Sequence, residues 1–225
     1  MRLLLVRHGE TAYNAQGRYQ GQTDLPLNQL GRQQAALLAS RLAGEEIHAI
    51  YTSDLRRAAE TAALIAVPHR LSVHGEPRLR EMSFGAWERL TYAEISERDP
   101  QALAAWQADP LGAAPPGGES LAELAARVQS AFDSIVALYP EQTVLLVAHG
   151  GPLRVLLCLA LGLPPEAQWR FRLDTASLSE LCCYTGDAIL MRLNDTHHLS
   201  AQPGHPRERR HADGEPRPRA SGEDG

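Results

Sequence analysis

The stretch Leu3-Leu4-Leu5-Val6-Arg7-His8-Gly9-Glu10-Thr11 decides how this sequence folds. Its first four residues are apolar and have the length of a β-strand buried on both faces, which is typical of parallel sheets. Arg7, His8 and Gly9 follow at once, so polar groups stand at the carboxyl end of that strand. In open α/β sheets this is the edge where ligands bind.

Two more apolar runs of strand length, Ala49 to Thr52 and Thr143 to Val147, repeat this pattern, and Ser177 to Tyr184 with Ala188 to Leu193 predict two closing strands. Signals for helix starts and ends lie between the strands. They are Asn28 and Gly44 for one helix, Ser120 with Glu123 for a helix to Leu138, Thr91 with Glu94 for a short helix, and Pro152 and Gly162 for the helix after the third strand. The alternation predicts an α/β fold, a three-layer α/β/α sandwich with a mostly parallel central sheet.

Composition narrows the function classes. The chain has 225 residues, of which 44% are hydrophobic and 22% charged, which is ordinary for a globular domain with a modest appendage. Its net charge of −5 disfavours nucleic acid as a partner, and no apolar run approaches the roughly 20 residues of a membrane-spanning helix. All 22 basic residues are arginine, which excludes lysine chemistry. Three cysteines and the short apolar start predict a cytoplasmic protein.

The last 25 residues differ from the rest. Residues 201–225 hold four Pro, four Gly, five Arg and five acidic residues, but no Val, Ile, Leu, Met, aromatic residue or Cys. Such a segment cannot bury apolar surface to offset its ordering entropy. We therefore predict a catalytic domain over 1–200 and a disordered polar tail over 201–225.

Three polar motifs end the three buried strands: Arg7-His8-Gly9, the run from Ser53 to Arg57, and His149-Gly150-Gly151. If the strands are parallel, two arginines and two histidines meet at one edge, and such a cluster needs an anion. A phosphoryl group fits, because guanidinium groups match its oxygens and glycine lets the backbone approach. A metallohydrolase built on His8, Glu10 and His149 is disfavoured, because the arginines would repel a divalent cation.

These motifs resemble those of the histidine phosphatase superfamily, which includes cofactor-dependent phosphoglycerate mutases and small-molecule phosphatases. The matching segments are Leu5 to Thr11, Asn14, Gly17 to Gly21, Asp24 to Leu27, Ser53 to Ala58 with Thr61-Ala62, Leu79 to Gly85, Gly117 to Ser120 and Val147 to Gly151. The resemblance spans about Arg2 to Leu199 and implies a phosphoglycerate mutase-like fold.

The resemblance also implies site roles. His8, at a strand end expected to face solvent, would be the nucleophile that forms a phosphohistidine. Glu81 would donate and accept the proton, the alternative being that it only pairs with Arg80 or another arginine. Arg7, Arg57 and His149 would bind the phosphoryl oxygens, with Arg57 preferred to Arg56 because it directly precedes Ala58. Further substrate contacts would come from Asn14, Gln20, Gly21 and Gly150. Glu10 would anchor the arginine cluster, with Glu119 and Arg154 as further supports. Neither a cofactor nor a metal is implied.

The segment from Met82 to Gly117 bears on the substrate. Its two arginines against five acidic residues give −3, which disfavours a second anionic group and so a mutase. Trp87, Tyr92 and Trp106 suggest either a lid over an uncharged or aromatic leaving group or simple packing in the core. The run Trp169 to Arg172 and the run Leu193 to Leu199 are similar to the α-ribazole phosphatase-like branch, which acts in cobalamin biosynthesis.

The prediction is therefore a metal-independent hydrolase of a small-molecule phosphate ester, with α-ribazole 5'-phosphate as one candidate. The alternatives are a cofactor-dependent phosphoglycerate mutase and a catalytically silent phosphoanion-binding scaffold. Nucleic acid and membrane are not expected as partners. The oligomeric state is left open, with a homodimer among the options.

Overall fold

This computed structural model describes residues 1–200, and its strands form one mixed sheet. The strands are β1 (Arg2–Arg7), β2 (Ala49–Thr52), β3 (Val73–Gly75), β4 (Thr143–Ala148), β5 (Leu178–Tyr184) and β6 (Asp187–Asp195), in the order β3-β2-β4-β1-β5-β6. Strands β3, β2, β4 and β1 run parallel, β5 is antiparallel to β1, and β6 is antiparallel to β5. The mostly parallel sheet is confirmed. The predicted tail lies outside the described residues.

Helices connect the strands. They are α1 (Ala12–Ala15), α2 (Gln29–Leu42), α3 (Arg56–His69), α4 (Tyr92–Arg98), α5 (Pro100–Ala108), α6 (Leu121–Leu138) and α7 (Gly150–Ala160), with short 3₁₀ turns at Pro77–Leu79, Gly85–Trp87, Pro165–Arg170 and His197–Leu199. Within residues 1–200, no helix is long and apolar enough to cross a membrane.

The two faces of the sheet bury two separate apolar clusters. Leu3 and Leu5 of β1 pack on the side of α6 and α7, whereas Leu4 and Val6 pack on the side of α2 and α3. Successive strand residues point to opposite faces, so a continuous apolar run is what a sheet covered on both sides requires. The predicted three-layer sandwich is therefore confirmed.

The predicted helix caps form. The side chain of Asn28 accepts a hydrogen bond from the Gly31 N–H at 2.7 Å, and Ser120 and Glu123 form a reciprocal capping box at the start of α6. Helix α3 was not predicted, because it follows β2 without a capping side chain and contains Pro68. The short strand β3 was missed for lack of any apolar run.

Candidate active site

The carboxyl ends of β1, β2 and β4 meet at one pocket, as the parallel topology requires. The cavity has a volume of about 60 Å³. Its walls are formed by Arg7, His8, Tyr13, Asn14, Gly17, Arg18, Tyr19, Gln20, Gly21, Arg57, Glu81, Phe84, Gly150 and Arg154. The structure thus brings together the predicted site residues, apart from His149, in the wall of a single pocket.

His8 is held as a neutral imidazole. Its Nδ1 lies 2.7 Å from the Gly9 carbonyl oxygen, and a carbonyl only accepts, so Nδ1 carries the proton and Nε2 keeps a lone pair. Burial, followed by the charges of Arg57 and Arg7, holds the pKa of His8 well below its usual value. The expectation that this residue faces solvent is wrong, because only 2% of its surface is exposed.

Arg57 is fully buried, and its guanidinium is gripped on several sides. Nη2 donates to the Gly21 carbonyl at 2.7 Å, Nη1 donates to the Thr23 carbonyl at 3.0 Å, and Nε donates to Nδ1 of His149 at 3.1 Å. Burial lowers the pKa of Arg57 to about 10, so the group remains charged near neutral pH. These bonds fix the orientation of a cation that has no access to water.

His149 lies behind Arg57 rather than in the pocket wall. It is completely buried, and Nε2 lies 2.8 Å from the hydroxyl oxygen of Ser53. Both ring nitrogens are therefore occupied, one by Ser53 and one by Arg57. The phosphoryl contact that the resemblance implies would require one of these bonds to break.

A loop from Leu173 to Ser177 supports Arg7 and His8 through hydrogen bonds. The Leu173 carbonyl accepts from Nη1 of Arg7 at 2.6 Å, and the Ala176 N–H donates to the carbonyls of Arg7 and His8 at 3.1 and 3.0 Å. Ala176 adopts a φ of +54°, which is costly for a residue with a Cβ. The backbone here is therefore strained and must be held by its neighbours.

The C-terminal run that suggested a branch assignment supplies those neighbours. Asn194 accepts from the Asp174 N–H at 2.6 Å and donates to the Asp174 carboxylate at 2.9 Å. Nε2 of His198 lies 3.0 Å from the Ala176 carbonyl. This part of the chain therefore secures the loop on which the strand end of β1 rests.

Glu81 sits at the N-terminus of α7. Its Oε1 accepts from the Gly151 N–H at 3.1 Å and from the Met82 N–H at 2.9 Å, and a helix N-terminus favours negative charge. A Cβ on Gly151 would overlap the Glu81 carboxylate. Gly151, quoted in the motif without a role, is thus what lets the carboxylate approach the helix.

Arg127 holds the backbone of Glu81, and sequence reasoning missed it. Nη1 donates to the carbonyls of Arg78 and Arg80, both at 2.7 Å, and Nη2 donates to the Glu81 carbonyl at 3.1 Å. Glu119 accepts from Nε and Nη2 of Arg127 at 2.6 and 2.8 Å. The available signal was an arginine three residues after buried Leu124, on the face of α6 that packs inward.

The predicted substrate contacts divide into two kinds. Asn14 and Gly150 line the pocket, and a Cβ on Gly150 would lie 3.7 Å from the Arg7 guanidinium carbon. Gln20 and Gly21 line it as well, but both also hold Arg57. With the amide NH₂ of Gln20 donating to Thr11, its oxygen lies 2.6 Å from Nε of Arg57 and shares that single N–H with Nδ1 of His149.

Contacts decide three points about the predicted residues. Glu10 does not anchor the arginines: its carboxylate accepts from the Asn28 side chain at 2.9 Å and so fixes the start of α2. Arg56 is exposed and lies 3.9 Å from Glu60, which supports the choice of Arg57. Glu81 is not taken by Arg80, which pairs with Asp54 at 2.5 Å.

The predicted aromatic lid is wrong. Trp87 and Trp106 belong to the core and pack edge to face with ring centroids 5.7 Å apart, and neither lines the pocket. The indole N–H of Trp87 donates to Asp99 at 3.1 Å, so burial of the large ring leaves no polar atom unsatisfied. Tyr19 and Phe84, in edge-to-face contact at 4.8 Å, line the pocket instead.

The acidic charge of the segment from Met82 to Gly117 does not face the pocket either. Four of its five carboxylates are bonded to other protein groups: Glu88 to Gln22 and Thr23, Glu94 to Thr91 and Arg18, Asp99 to Trp87, and Asp109 to the Gly112 N–H. Two of these carboxylates nevertheless act on the site, Glu94 through the pocket residue Arg18 and Glu88 through its charge near Arg57.

Within residues 1–200, no three or more His, Cys, Asp or Glu side chains are grouped so that they could hold a metal ion. The model of the histidine phosphatase superfamily (branch 1) matches residues 3–196. The chain belongs to this superfamily. Its phosphoglycerate mutase-like fold and its phosphatase relatives show that it is an enzyme, a phosphatase acting on a small phosphate ester.

Three known proteins illustrate what this histidine phosphatase is similar to. It is 36% identical over 199 residues to phosphoserine phosphatase 1 of Hydrogenobacter thermophilus, covering 88% of this chain and 94% of that one. It is 41% identical over 185 residues to the probable phosphoglycerate mutase GpmB of Yersinia enterocolitica, covering 80% and 84%. The solved α-ribazole phosphatase of Shigella flexneri is 34% identical with a TM-score of 0.82, covering 87% and 97%.

Proposed function

We propose that this histidine phosphatase hydrolyses its ester through a phosphohistidine on His8. The observation that carries the proposal is the Nδ1–H bond of His8 to the Gly9 carbonyl, which leaves Nε2 as a neutral nucleophile in a pocket walled by arginines. A neutral imidazole beside buried cations is suited to attack an anionic phosphoryl group.

The reaction has two steps. First, Nε2 of His8 forms a bond to phosphorus as the ester P–O bond breaks, and protonated Glu81 gives its proton to the leaving oxygen. Then Glu81 takes a proton from water, the water oxygen bonds to phosphorus, and the P–N bond breaks to release inorganic phosphate. Arg7 and Arg57 stabilise the charge on the phosphoryl oxygens in both transition states.

Apart from Arg154, the rest of the pocket lining supports an uncharged hydroxyl compound as the leaving group. Tyr13, Tyr19 and Phe84 supply polar and aromatic surface. The guanidinium of Arg18 donates to Glu94 at 2.8 Å, so a carboxylate already balances its charge. Together with the likeness to the Shigella flexneri enzyme, this supports α-ribazole 5'-phosphate as the first substrate to test, and with it a role in cobalamin biosynthesis.

A phosphoglycerate mutase is the second candidate, because of the similarity to GpmB. It would have to retain the phosphoryl group while excluding water. In a silent phosphoanion-binding scaffold, the bond that places Glu81 at the Gly151 N–H would serve no catalytic purpose. This bond therefore disfavours the scaffold alternative.

The proposal extends to location and domain organisation. Cys158, Cys182 and Cys183 are free thiols, which supports a reducing compartment such as the cytoplasm. We propose residues 1–200 as the catalytic domain, and expect a chain cut after Ser200 to keep the kcat/KM and Tm of the full chain.

A panel of phosphomonoesters compared by kcat/KM tests the function. It should contain α-ribazole 5'-phosphate, O-phosphoserine, 3-phosphoglycerate and p-nitrophenyl phosphate, each with and without EDTA and vanadate. We expect EDTA-insensitive, vanadate-inhibited release of inorganic phosphate, because vanadate mimics the phosphoryl transition state. If enzyme primed with bisphosphoglycerate interconverts 2- and 3-phosphoglycerate faster than it hydrolyses any ester, the mutase reading replaces this one.

A further inference from the structure

Residues 88–91 lie against the turn of Gly21, Gln22 and Thr23 and the residues before it. The Arg89 N–H donates to the Tyr19 carbonyl at 2.7 Å, and the Tyr19 N–H donates to the Leu90 carbonyl at 2.8 Å. These two bonds join the segments in the manner of a short antiparallel pair. Glu88 enters this contact at the end nearest the turn.

The carboxylate of Glu88 grips the turn from one side. Its Oε1 accepts from the Gln22 N–H at 2.8 Å, and its Oε2 accepts from the Thr23 hydroxyl at 2.5 Å. Bonds of this kind to an ionised carboxylate are about twice as strong as neutral ones. A Cβ on Gly21, which has a φ of +52°, would overlap Oε1 of Glu88, so the carboxylate packs directly on the backbone.

Arg57 grips the same turn from the other side. The carbonyls of Gly21 and Thr23 accept from Nη2 and Nη1 of Arg57 at 2.7 and 3.0 Å. The turn therefore directs N–H and hydroxyl donors at Glu88 and carbonyl acceptors at Arg57. Because Arg57 is fully buried, these carbonyls stand in for the water that would otherwise solvate its charge.

Glu88 itself does not line the pocket. Among the charges that act on Arg57, however, those of Glu81, Asp24 and Glu88 favour its cationic form and oppose the effect of burial. Loss of the Glu88 carboxylate would free the Gln22 N–H and the Thr23 hydroxyl, and the turn could relax. The two carbonyls that aim the guanidinium would then move with it.

We propose that Glu88 is a positioning residue, which holds the turn of Gly21, Gln22 and Thr23 so that its carbonyls aim Arg57 at the phosphoryl group. The inference rests on the proposed role of Arg57 in the reaction. Of the five carboxylates in the segment from Met82 to Gly117, Glu88 is the one bonded to the turn that holds Arg57.

Glu88→Ala is the first variant to measure, with p-nitrophenyl phosphate and with an alkyl phosphate. We expect kcat/KM to fall about 10- to 100-fold, mainly through kcat, because a small misplacement of a catalytic group has effects of this size. The fall should be similar for both leaving groups, because the Glu81 carboxylate keeps its own bonds to the Met82 and Gly151 N–H groups. The turn reaches Glu81 through the side chain of Gln22, which donates to the Glu81 backbone carbonyl. A change of less than about twofold would overturn the inference.

Two further variants control for charge and shape. Glu88→Gln can still accept from the Gln22 N–H and donate to the Thr23 oxygen, so it should keep kcat/KM within about threefold of the wild type. Glu97→Ala removes the same charge from an exposed position on α4 and should leave kcat/KM unchanged. Losses in Glu97→Ala as large as those in Glu88→Ala would show an effect of net charge and overturn the inference.

A double-mutant cycle with Arg57→Ala separates positioning from a general structural role. Arg57→Ala alone should cost about 10²- to 10³-fold in kcat. In that background Glu88→Ala should cost less than about threefold, because no guanidinium remains to be aimed. An undiminished cost would overturn the role of Glu88, whereas near-normal activity of Arg57→Ala would overturn the proposed function itself.

Thr23→Val serves if Glu88→Ala does not fold. It removes only the hydroxyl donor and keeps the backbone carbonyl. We expect a loss of about 3- to 10-fold in kcat that disappears in the Arg57→Ala background, with unchanged circular dichroism. A loss that persists in that background would contradict the inference.

Discussion

Nε of Arg57 donates a hydrogen bond to Nδ1 of His149 over 3.1 Å, and this bond fixes the protonation state of the histidine. An arginine cannot accept, so Nδ1 must carry the lone pair and Nε2 the proton, which points to the Ser53 oxygen 2.8 Å away. A proton on Nδ1 would face the Arg57 N–H. Burial, reinforced by Arg57, accordingly holds the pKa of His149 well below its usual value.

Stability should fall as the pH drops below about 6.5. Burial lowers the folded-state pKa of His8 and His149, so below about 6.5 the unfolded chain takes up protons that the native chain does not. Each histidine then adds up to about 1.4 kcal/mol per pH unit to the loss of unfolding free energy. Urea unfolding between pH 7.5 and 5.5 measures the slope, above the range where Asp54 and Glu76 titrate.

His8→Gln should lower the slope of unfolding free energy against pH by up to about 1.4 kcal/mol per pH unit, which is the contribution of one proton. His74→Gln, a substitution at an exposed position of β3, is the matched control. Equal slopes in the wild type and in His8→Gln would contradict the pH argument.

His8→Ala should abolish turnover and leave Tm within a few degrees of the wild type. The side chain is desolvated in the pocket wall, so its loss removes a buried polar group and not part of an apolar cluster. Wild-type enzyme quenched in alkali should keep labelled phosphate, because a phosphohistidine survives alkali and is lost in acid. A label stable to acid and labile to base would indicate an acyl phosphate and exclude His8 as the nucleophile.

Glu81→Gln should slow hydrolysis of alkyl esters about 10²- to 10⁴-fold and that of p-nitrophenyl phosphate far less, because only a poor leaving group needs the proton. Initial rates with a series of esters of rising leaving-group pKa measure this dependence. Glu97→Gln is the control for the loss of one carboxylate. Equal losses across the series would leave Glu81 with a structural role only.

Arg127→Met should reproduce the leaving-group dependence of Glu81→Gln in weaker form, because it releases the backbone of residues 78–81. It should also lower the unfolding free energy by about 2 to 3 kcal/mol, since Glu119 and buried carbonyls lose their donor. Arg56→Met, which removes an exposed arginine, should change neither quantity. A fall in stability without any change in leaving-group dependence would show that Arg127 stabilises the fold but does not position Glu81.

Sequence alone predicted the layers and the strand ends, because these follow from apolar runs and caps. Leu3 to Val6 must be covered on both faces. Asn28 and Ser120 cap the N-termini of helices, and a cap depends only on residues nearby in the sequence. Parallel order then places Arg7, Arg57 and the β4 end at one edge. These inferences need only the local chain and one topological rule.

What the sequence did not predict are contacts between distant side chains. Glu88 and Thr23, or Arg127 and the Arg78 carbonyl, meet only because of how loops pack, and no periodicity records that. The same holds for Trp87 and Trp106, whose composition suits a lid and a core equally well. The bonds of His149 to Ser53 and Arg57 were not predicted either, because a motif gives the place of a residue but not its hydrogen-bond partners.

The central position of β1 has a consequence for biosynthesis. Residues 2–7 are synthesised well before their partners on both sides, β4 and β5, which begin only at Thr143 and Leu178. Non-local pairing of this kind slows folding, and an unpaired apolar strand is prone to aggregation until it is covered. The nascent chain therefore carries this apolar strand without its sheet partners while the residues between β1 and β4 are made. His8 acquires its supporting loop only when Asn194 and His198 have been made.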